Sequence, residues 1–377
     1  MSRGDRWLLV LALGLAAVGL VMVYSSSAIL GITRYQDPNH FFGRQLIRVA
    51  LGVVVILACA RVKLRWIERL APWLLAGAVA LLGALEVAGH VSHGAARWLR
   101  MGFLSLQPTD LARLATVVFL AWWFKRWPPA ERGFLRGLLP PLAIGGAVSG
   151  LILLQPNLSS AGLLAATCLL VSFLAGSRLR HLAMPVAAAA VVVTVALATH
   201  PYMMGRLRAF IGSWQGGTAD ARGSGWQLDQ SLIAIGSGGW LGRGLGNGLQ
   251  KYLFLPEAHT DFIFSILGEE MGFLGATALL MLFALLLWRG MRAAARASDP
   301  FAYLLAGGLT LQIGLYALAN LGVATGLMPT TGLPLPFVSY GGSALLANMA
   351  AAGVLYQVSV THDASEARTR RPWRETA

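Results

Sequence analysis

Charge is what this chain has least of. Asp, Glu, Lys and Arg make up 12% of its 377 residues, against about a quarter in a soluble domain. That excludes an ordinary water-soluble globular protein. Acidic residues are the scarcer sign, 16 against 30 Lys and Arg. Cysteine is nearly missing: Cys59 and Cys168 both lie inside apolar runs, so they read as small core residues and not as a disulfide. No metal-ligand spacing, P-loop or dinucleotide fingerprint is present, and the glycines of GRGLGNG follow no strand. An internal repeat, a soluble second domain and a cleavable signal are likewise not expected. Arg3 and Arg6 precede an apolar run that continues to about residue 28, too long for a signal-peptide core.

What the chain has instead is apolar length. It is 56% hydrophobic with a mean hydropathy of +0.64, and several runs approach the ~20 residues that cross a bilayer. The reading is an all-α polytopic membrane protein with ten transmembrane helices. They fall near 7–29, 46–60, 71–91, 111–124, 138–154, 161–175, 182–199, 273–288, 302–323 and 344–360. One transmembrane domain is expected over 1–360, followed by a disordered tail, 361–377.

The basic residues fall in alternate loops. Arg61, Lys63, Arg65 and Arg69 follow the second span, and Lys125, Arg126, Arg132 and Arg136 the fourth. Arg178 and Arg180 follow the sixth, and Arg289, Arg292 and Arg296 the eighth. By the positive-inside rule both termini are cytoplasmic, and the long interval between spans seven and eight, about 200–262, is extracytoplasmic. The same clustering accounts for the net charge of +14 without nucleic acid as a partner.

Within that frame one stretch stands out. Residues 240–270, WLGRGLGNGLQKYLFLPEAHTDFIFSILGEE, hold Lys251, Glu257, His259, Asp261, Glu269 and Glu270 where acids are otherwise sparse. Asp261 borders the apolar FIFSIL, so partial loss of hydration would favour its neutral form and bring its pKa towards working pH, as a general base requires. The alternative is a helix N-cap, since Thr260 and Asp261 precede a helical run. Lys251, and Arg243 among glycines, suit a phosphate group, or are simply solvated. Arg97, Asp110 and Arg113 belong together: Asp110 and Arg113 are spaced to pair on one helix face at the start of a span. Arg48 and Glu86 are further charges within spans. Residues 329–343, PTTGLPLPFVSYGGS, cannot form a continuous helix and read as a packed loop near the outer surface, with Ser339, Tyr340 and Ser343 able to hydrogen-bond a sugar.

Four stretches together resemble the SEDS family, FtsW, RodA and SpoVE: RWLRMGFLSLQPTDLARL, GWQLDQSLIAIGSGGWLGRGLG, KYLFLPEAHTDFIFSILGEEMG and PTTGLPLPFVSYGGS. The likeness runs from VYSSS in the first span to the last helix. EAHTDFIF resembles FtsW and PTTGLPLPF RodA, so the subtype stays open. The resemblance implies a ten-span peptidoglycan glycosyltransferase that polymerises lipid II outside the cytoplasmic membrane, in cell division or elongation. It also implies a class B penicillin-binding protein as transpeptidase partner, other elongasome or divisome proteins, and a divalent cation, Mg or Mn. The family's essential loop aspartate falls on Asp261. Three stretches depart from its pattern: Thr109–Asp110 with Arg113 replace the usual Ser–Glu with Lys, Asn157 replaces an aspartate, and Thr331 replaces the lysine of FtsW.

The mechanism these residues suggest is an inverting transfer. Asp261 takes the proton of the acceptor's GlcNAc C4 hydroxyl, which attacks the donor's anomeric carbon as undecaprenyl pyrophosphate leaves. Lys251 and Arg97, with Arg48 and Arg113, would hold the pyrophosphate, and Glu257, His259, Asp110, Ser339 and Ser343 the rest of the substrate. Two competing readings are a lipid II flippase, which needs a site near the midplane, and a non-catalytic scaffold.

Overall fold

The computed structural model describes residues 4–88, 90–92, 95–101, 104–199, 201–214 and 224–369. Its long helices are α1 (Arg6–Tyr35), α2 (His40–Cys59), α3 (Leu64–Ala88) and α4 (Pro108–Arg126). The short α5 (Pro129–Gly133) and a π-helical turn lead into α6 (Leu139–Leu154), followed by α7 (Leu158–Leu174) and α8 (Leu179–Thr199). Then come α9 (Pro201–Trp214), α10 (Ser224–Ser237), α11 (Ile263–Arg296), α12 (Pro300–Ala324) and α13 (Gly342–Thr369). The protein is an all-α polytopic membrane protein.

Eight of these helical segments are long and apolar enough to span a membrane. The two expected spans outside that group have plain reasons: α7 is 17 residues long, and α4 carries Asp110, Arg113, Lys125 and Arg126. Both are nevertheless packed into the bundle against α12. A helix that is apolar all round belongs inside, and α12 is buried along nearly its whole length. By contrast α8 is mostly exposed, with its apolar surface left to lipid.

One end of the bundle gathers the charged helix termini. Asp5 caps α1, donates its N–H to Ser359 Oγ on α13 at 2.9 Å and pairs with Arg289 on α11 at 3.1 Å. Lys125 bridges Glu68 and Asp299, each at 2.9 Å. Asp5 and Ser359 therefore lie at the end of the bundle that carries Arg289 and Lys125 of the basic loops. α13 continues through Thr369, past the expected start of the tail, and residues 370–377 lie outside the described residues.

The opposite end departs from a purely helical plan. After Ala88, where a span to residue 91 was expected, the chain forms a three-stranded antiparallel sheet: β1 (His90–Ser92), β2 (Ala95–Met101) and β3 (Leu104–Leu106). The polar interval before α11 contributes α9 and α10, then a glycine-rich loop from 238 to 262. Gly and Pro at 242, 244, 246, 248 and 256 suppress helix there, so the acidic stretch is held by tertiary contacts instead.

Candidate active site

The turn carrying Asp261 is built on one carbonyl. Glu257 O accepts the N–H groups of Thr260, Asp261 and Phe262 at 3.1–3.3 Å. Its own residue sits at φ 53°, a left-handed conformation that costs a side-chain-bearing residue about 1–2 kcal/mol. The turn is then pinned from 329–343: Tyr340 N–H donates to His259 O at 3.0 Å, and Ser339 Oγ donates to Thr260 O while accepting Leu335 N–H. Asn320 on α12 completes the clamp, its Nδ2 bridging Asp261 O (2.7 Å) and Leu333 O (2.8 Å). Three consecutive backbone carbonyls, 259 to 261, are thus fixed by separate donors, leaving the Asp261 side chain the group that faces outward from a rigid frame.

That side chain does not cap a helix. α11 begins after Phe262, with no side-chain cap. Asp261 instead lines an open cleft of about 720 Å³. Part of its surface reaches the cleft, yet the surrounding protein strips enough hydration to raise its pKa from 3.8 to about 7. Burial is the main cause, the neighbouring Glu257 charge adds to it, and Arg206 opposes it. Gly332 lies beside the carboxylate: a Cβ there would stand 3.6 Å from Asp261 Oδ2, and its φ of 73° suits glycine. A carboxylate that titrates near neutrality in a solvent-reached cleft can take a proton from a hydroxyl.

The cleft draws on residues distant in sequence. Gln107 and Asp110 come from the head of α4, Asn157 and Ser160 from the head of α7, Gln227 from α10, and Thr330 and Thr331 from the proline-rich loop. Val193 and Leu197 of α8 form an apolar side. Asp110 accepts a 2.6 Å hydrogen bond from Ser343 Oγ, which in turn accepts Gln107 N–H, and Arg113 lies 3.5 Å from Asp110. The expected pairing on α4 is present. Arg113 itself is buried behind the cleft, against Asn348 and the Tyr316 ring.

Other candidates lie elsewhere. Lys251 is buried and bound to Glu270 at 2.8 Å and Ser25 at 3.1 Å, so an anion in the cleft does not meet it. Glu269 accepts the N–H groups of Leu249 and Gln250. The two acids and the loop close on each other because α11 breaks at Gly272 (φ 65°, ψ −164°). The break frees Glu269 O and Glu270 O to accept Arg243 N–H and Gly244 N–H, both at 3.0 Å. A Cβ on Gly272 would come within 2.3 Å of Gly242 N, so only glycine fits.

His259 is buried between Phe41 and Tyr340, and burial lowers its pKa. Arg48 is buried too, its guanidinium 4.4 Å from the centre of the Tyr340 ring. Ser339, as above, holds backbone. Neither His259, Arg48 nor Ser339 lines the cleft, though Tyr340, which they surround, does. Arg97 belongs to β2, but its side chain, like that of Glu86, lies outside the described residues.

Arg206 was not anticipated. It lies on α9 in the cleft, its Nη1 donating to Thr330 O at 2.9 Å and its Nη2 to the Tyr202 hydroxyl. The signal was available: Tyr202 and Arg206 stand one helical turn apart. Nothing in the sequence placed α9 over Asp261. Among the described residues no group of three His, Cys, Asp or Glu side chains could hold a metal alone. Two carboxylates, Glu257 and Asp261, line the cleft four residues apart, with Glu257 Oε2 accepting from Thr260 Oγ1 at 2.9 Å.

A family model described as "Cell cycle protein", for FtsW, RodA and SpoVE, matches residues 6–364. The chain belongs to this family. It is 39% identical over 360 residues to a protein of Coxiella burnetii named "Probable peptidoglycan glycosyltransferase FtsW", covering 94% of this chain and 96% of that one. Stage V sporulation protein E of Bacillus subtilis is 38% identical, with 94% and 96% covered. A chain from a peptidoglycan synthase complex superposes with a TM-score of 0.78 at 32% identity, covering 96% and 99%. Rod shape determining protein RodA of Thermus thermophilus superposes at 0.69 and 29%, covering 94% and 96%.

Three departures from the SEDS pattern fall in the cleft, Asp110, described above, being the first. Asn157 caps α7 by accepting Ser160 N–H at 3.2 Å, a task open equally to aspartate. Thr331 lines the cleft where FtsW has lysine, so this chain brings less positive charge there.

Proposed function

We propose that the protein is a peptidoglycan glycosyltransferase that polymerises lipid II at the outer face of the cytoplasmic membrane. The observation that carries this reading is Asp261: its turn is fixed at three carbonyls, it caps no helix, and its pKa near 7 lies in an open cleft. Its carboxylate accepts the proton of the acceptor's C4 hydroxyl as the oxygen attacks the donor's anomeric carbon, and undecaprenyl pyrophosphate departs with inversion. Gln107, Asp110, Asn157 and Ser160 bring polar groups to the cleft wall, and these would orient the sugars. A divalent cation, held by Glu257 beside Asp261, would neutralise charge on the leaving diphosphate.

The ten-span topology belongs to this reading, with α4 and α7 crossing inside the bundle. So does a partner. The relative in a peptidoglycan synthase complex supports a class B penicillin-binding protein beside this chain, with other division or elongation proteins.

The test is purified protein in nanodiscs with fluorescent lipid II, with and without Mg or Mn and the transpeptidase. Glycan ladders are expected. Transfer of intact lipid II across the bilayer with no polymer would overturn the reading in favour of a flippase.

A further inference from the structure

The described lining of the cleft contains three carboxylates, Asp110, Glu257 and Asp261, and a single Lys or Arg, Arg206. Asp110 is paired with Arg113, so a diphosphate ester entering there faces the unpaired like charges of Glu257 and Asp261. Among the described residues its counter-charge in the cleft is this guanidinium, since Lys251 and Arg113 are buried in ion pairs of their own. We propose that Arg206 holds the diphosphate of the isoprenoid-linked donor. The first isoprene units would then lie along the apolar side made by Val193 and Leu197 of α8 and Met203 and Leu207 of α9. This assigns the α8–α9 side of the cleft to the donor, and it rests on the glycosyltransferase reading above.

Three features carry the assignment. Arg206 is held before any ligand arrives, by Thr330 O and the Tyr202 hydroxyl, with its guanidinium 4.7 Å from the Tyr202 ring centre. A fork fixed in this way loses little freedom on binding. These two tethers engage two of its five N–H donors. Met203 and Leu207 flank it on the same helical face and line the same cleft, so charge and grease stand in the order that a polyprenyl diphosphate presents them. Finally, Arg206 and Asp261 line the same cleft, so a diphosphate held at the guanidinium shares that cleft with the base.

The experiment uses the full chain in nanodiscs of neutral lipid, with geranylgeranyl diphosphate as the probe and geranylgeraniol as its uncharged counterpart. Arg206→Ala is expected to weaken diphosphate binding by ~10-fold or more, the loss of a charge-assisted hydrogen bond, and to leave geranylgeraniol binding unchanged. Arg206→Lys, which keeps the charge and much of the bulk, should recover part of the loss. Phosphatidylglycerol should not displace the probe. With divalent cation removed by chelator, Asp261→Asn should bind the diphosphate at least as well as the wild type.

Wild-type affinity in Arg206→Ala overturns the proposal, as does an equal loss for geranylgeraniol. Displacement by phosphatidylglycerol would reassign the site to lipid headgroups and sink it as well. Since binding is read without turnover, a protein that binds the probe through Arg206 but makes no glycan would sink the glycosyltransferase reading alone.

Discussion

Two groups of carboxylates lie within fifteen residues of each other and live by different rules. Glu269 and Glu270 are buried, and every described partner is structural: loop N–H groups, Arg243, Lys251 and Ser25. Glu257 and Asp261 line an open cleft, and Asp261 is left with a raised pKa. The first pair has spent its hydrogen-bonding capacity on folding the loop, while the second keeps carboxylate oxygen at the cleft, Glu257 being held, among the described residues, only by Thr260 Oγ1 at 2.9 Å. Acidity at a membrane edge is thus not by itself a sign of chemistry. Whether the protein already satisfies the acid is what separates the two.

The contrast can be broken most severely at Glu270. Glu270→Ala leaves the Lys251 ammonium buried without its partner, and removal of one member of a buried pair costs about 3–5 kcal/mol. Thermal unfolding of the purified protein should show a large drop, and a companion Lys251→Met change should return part of it. Gly272→Ala comes next. It places a side chain where φ is positive and the Gly242 backbone is in the way, at about 1–3 kcal/mol, and should loosen the loop while Asp261 stays ionisable.

Smaller effects sharpen the other half. Glu257→Gln removes a charge that raises the pKa of Asp261. The rising limb of the pH–rate profile, which needs Asp261 ionised, should therefore move to lower pH. A more local effect is expected of Ser343→Ala, which deletes the hydrogen bond to Asp110 and the one accepted from Gln107 N–H, for about 1–3 kcal/mol. It should be seen as a modest rise in KM.

Much of this was legible in the sequence, and the limits have physical causes. The all-α multi-pass character followed from apolar length, a one-dimensional property, and eight helices are long and apolar enough to span; sidedness rests on the basic loops alone. The Asp110–Arg113 pair followed from helical spacing alone. Lys251 could not be placed, since a lysine among glycines reads the same whether it faces water or a buried glutamate; the difference depends on Ser25, far away on α1. Arg206 was missed for the converse reason: the proximity of α9 to the 329–343 loop is a tertiary fact. Asp261 itself stood between cap and base until the helix start settled at Phe262. The family likeness pointed to the residue, and the cleft supplied its physical reason.

Linkage gives the cleft residue a signature of its own. Folding raises the pKa of Asp261 from 3.8 to about 7, so the folded state binds that proton more tightly. Stability is then lost as pH rises from the unfolded value through about 7, and a neutral side chain escapes the loss.

The most direct measurement is therefore a paired one on Asp261→Asn, with lipid II polymerisation and thermal unfolding read on the same preparation above pH 7. Activity should fall by ~10²–10⁴-fold, the usual contribution of a general base, while the unfolding temperature holds or rises. Retained polymerisation, or lost activity with a fall in unfolding temperature like that of Glu270→Ala, would place Asp261 with the structural acids and contradict the account.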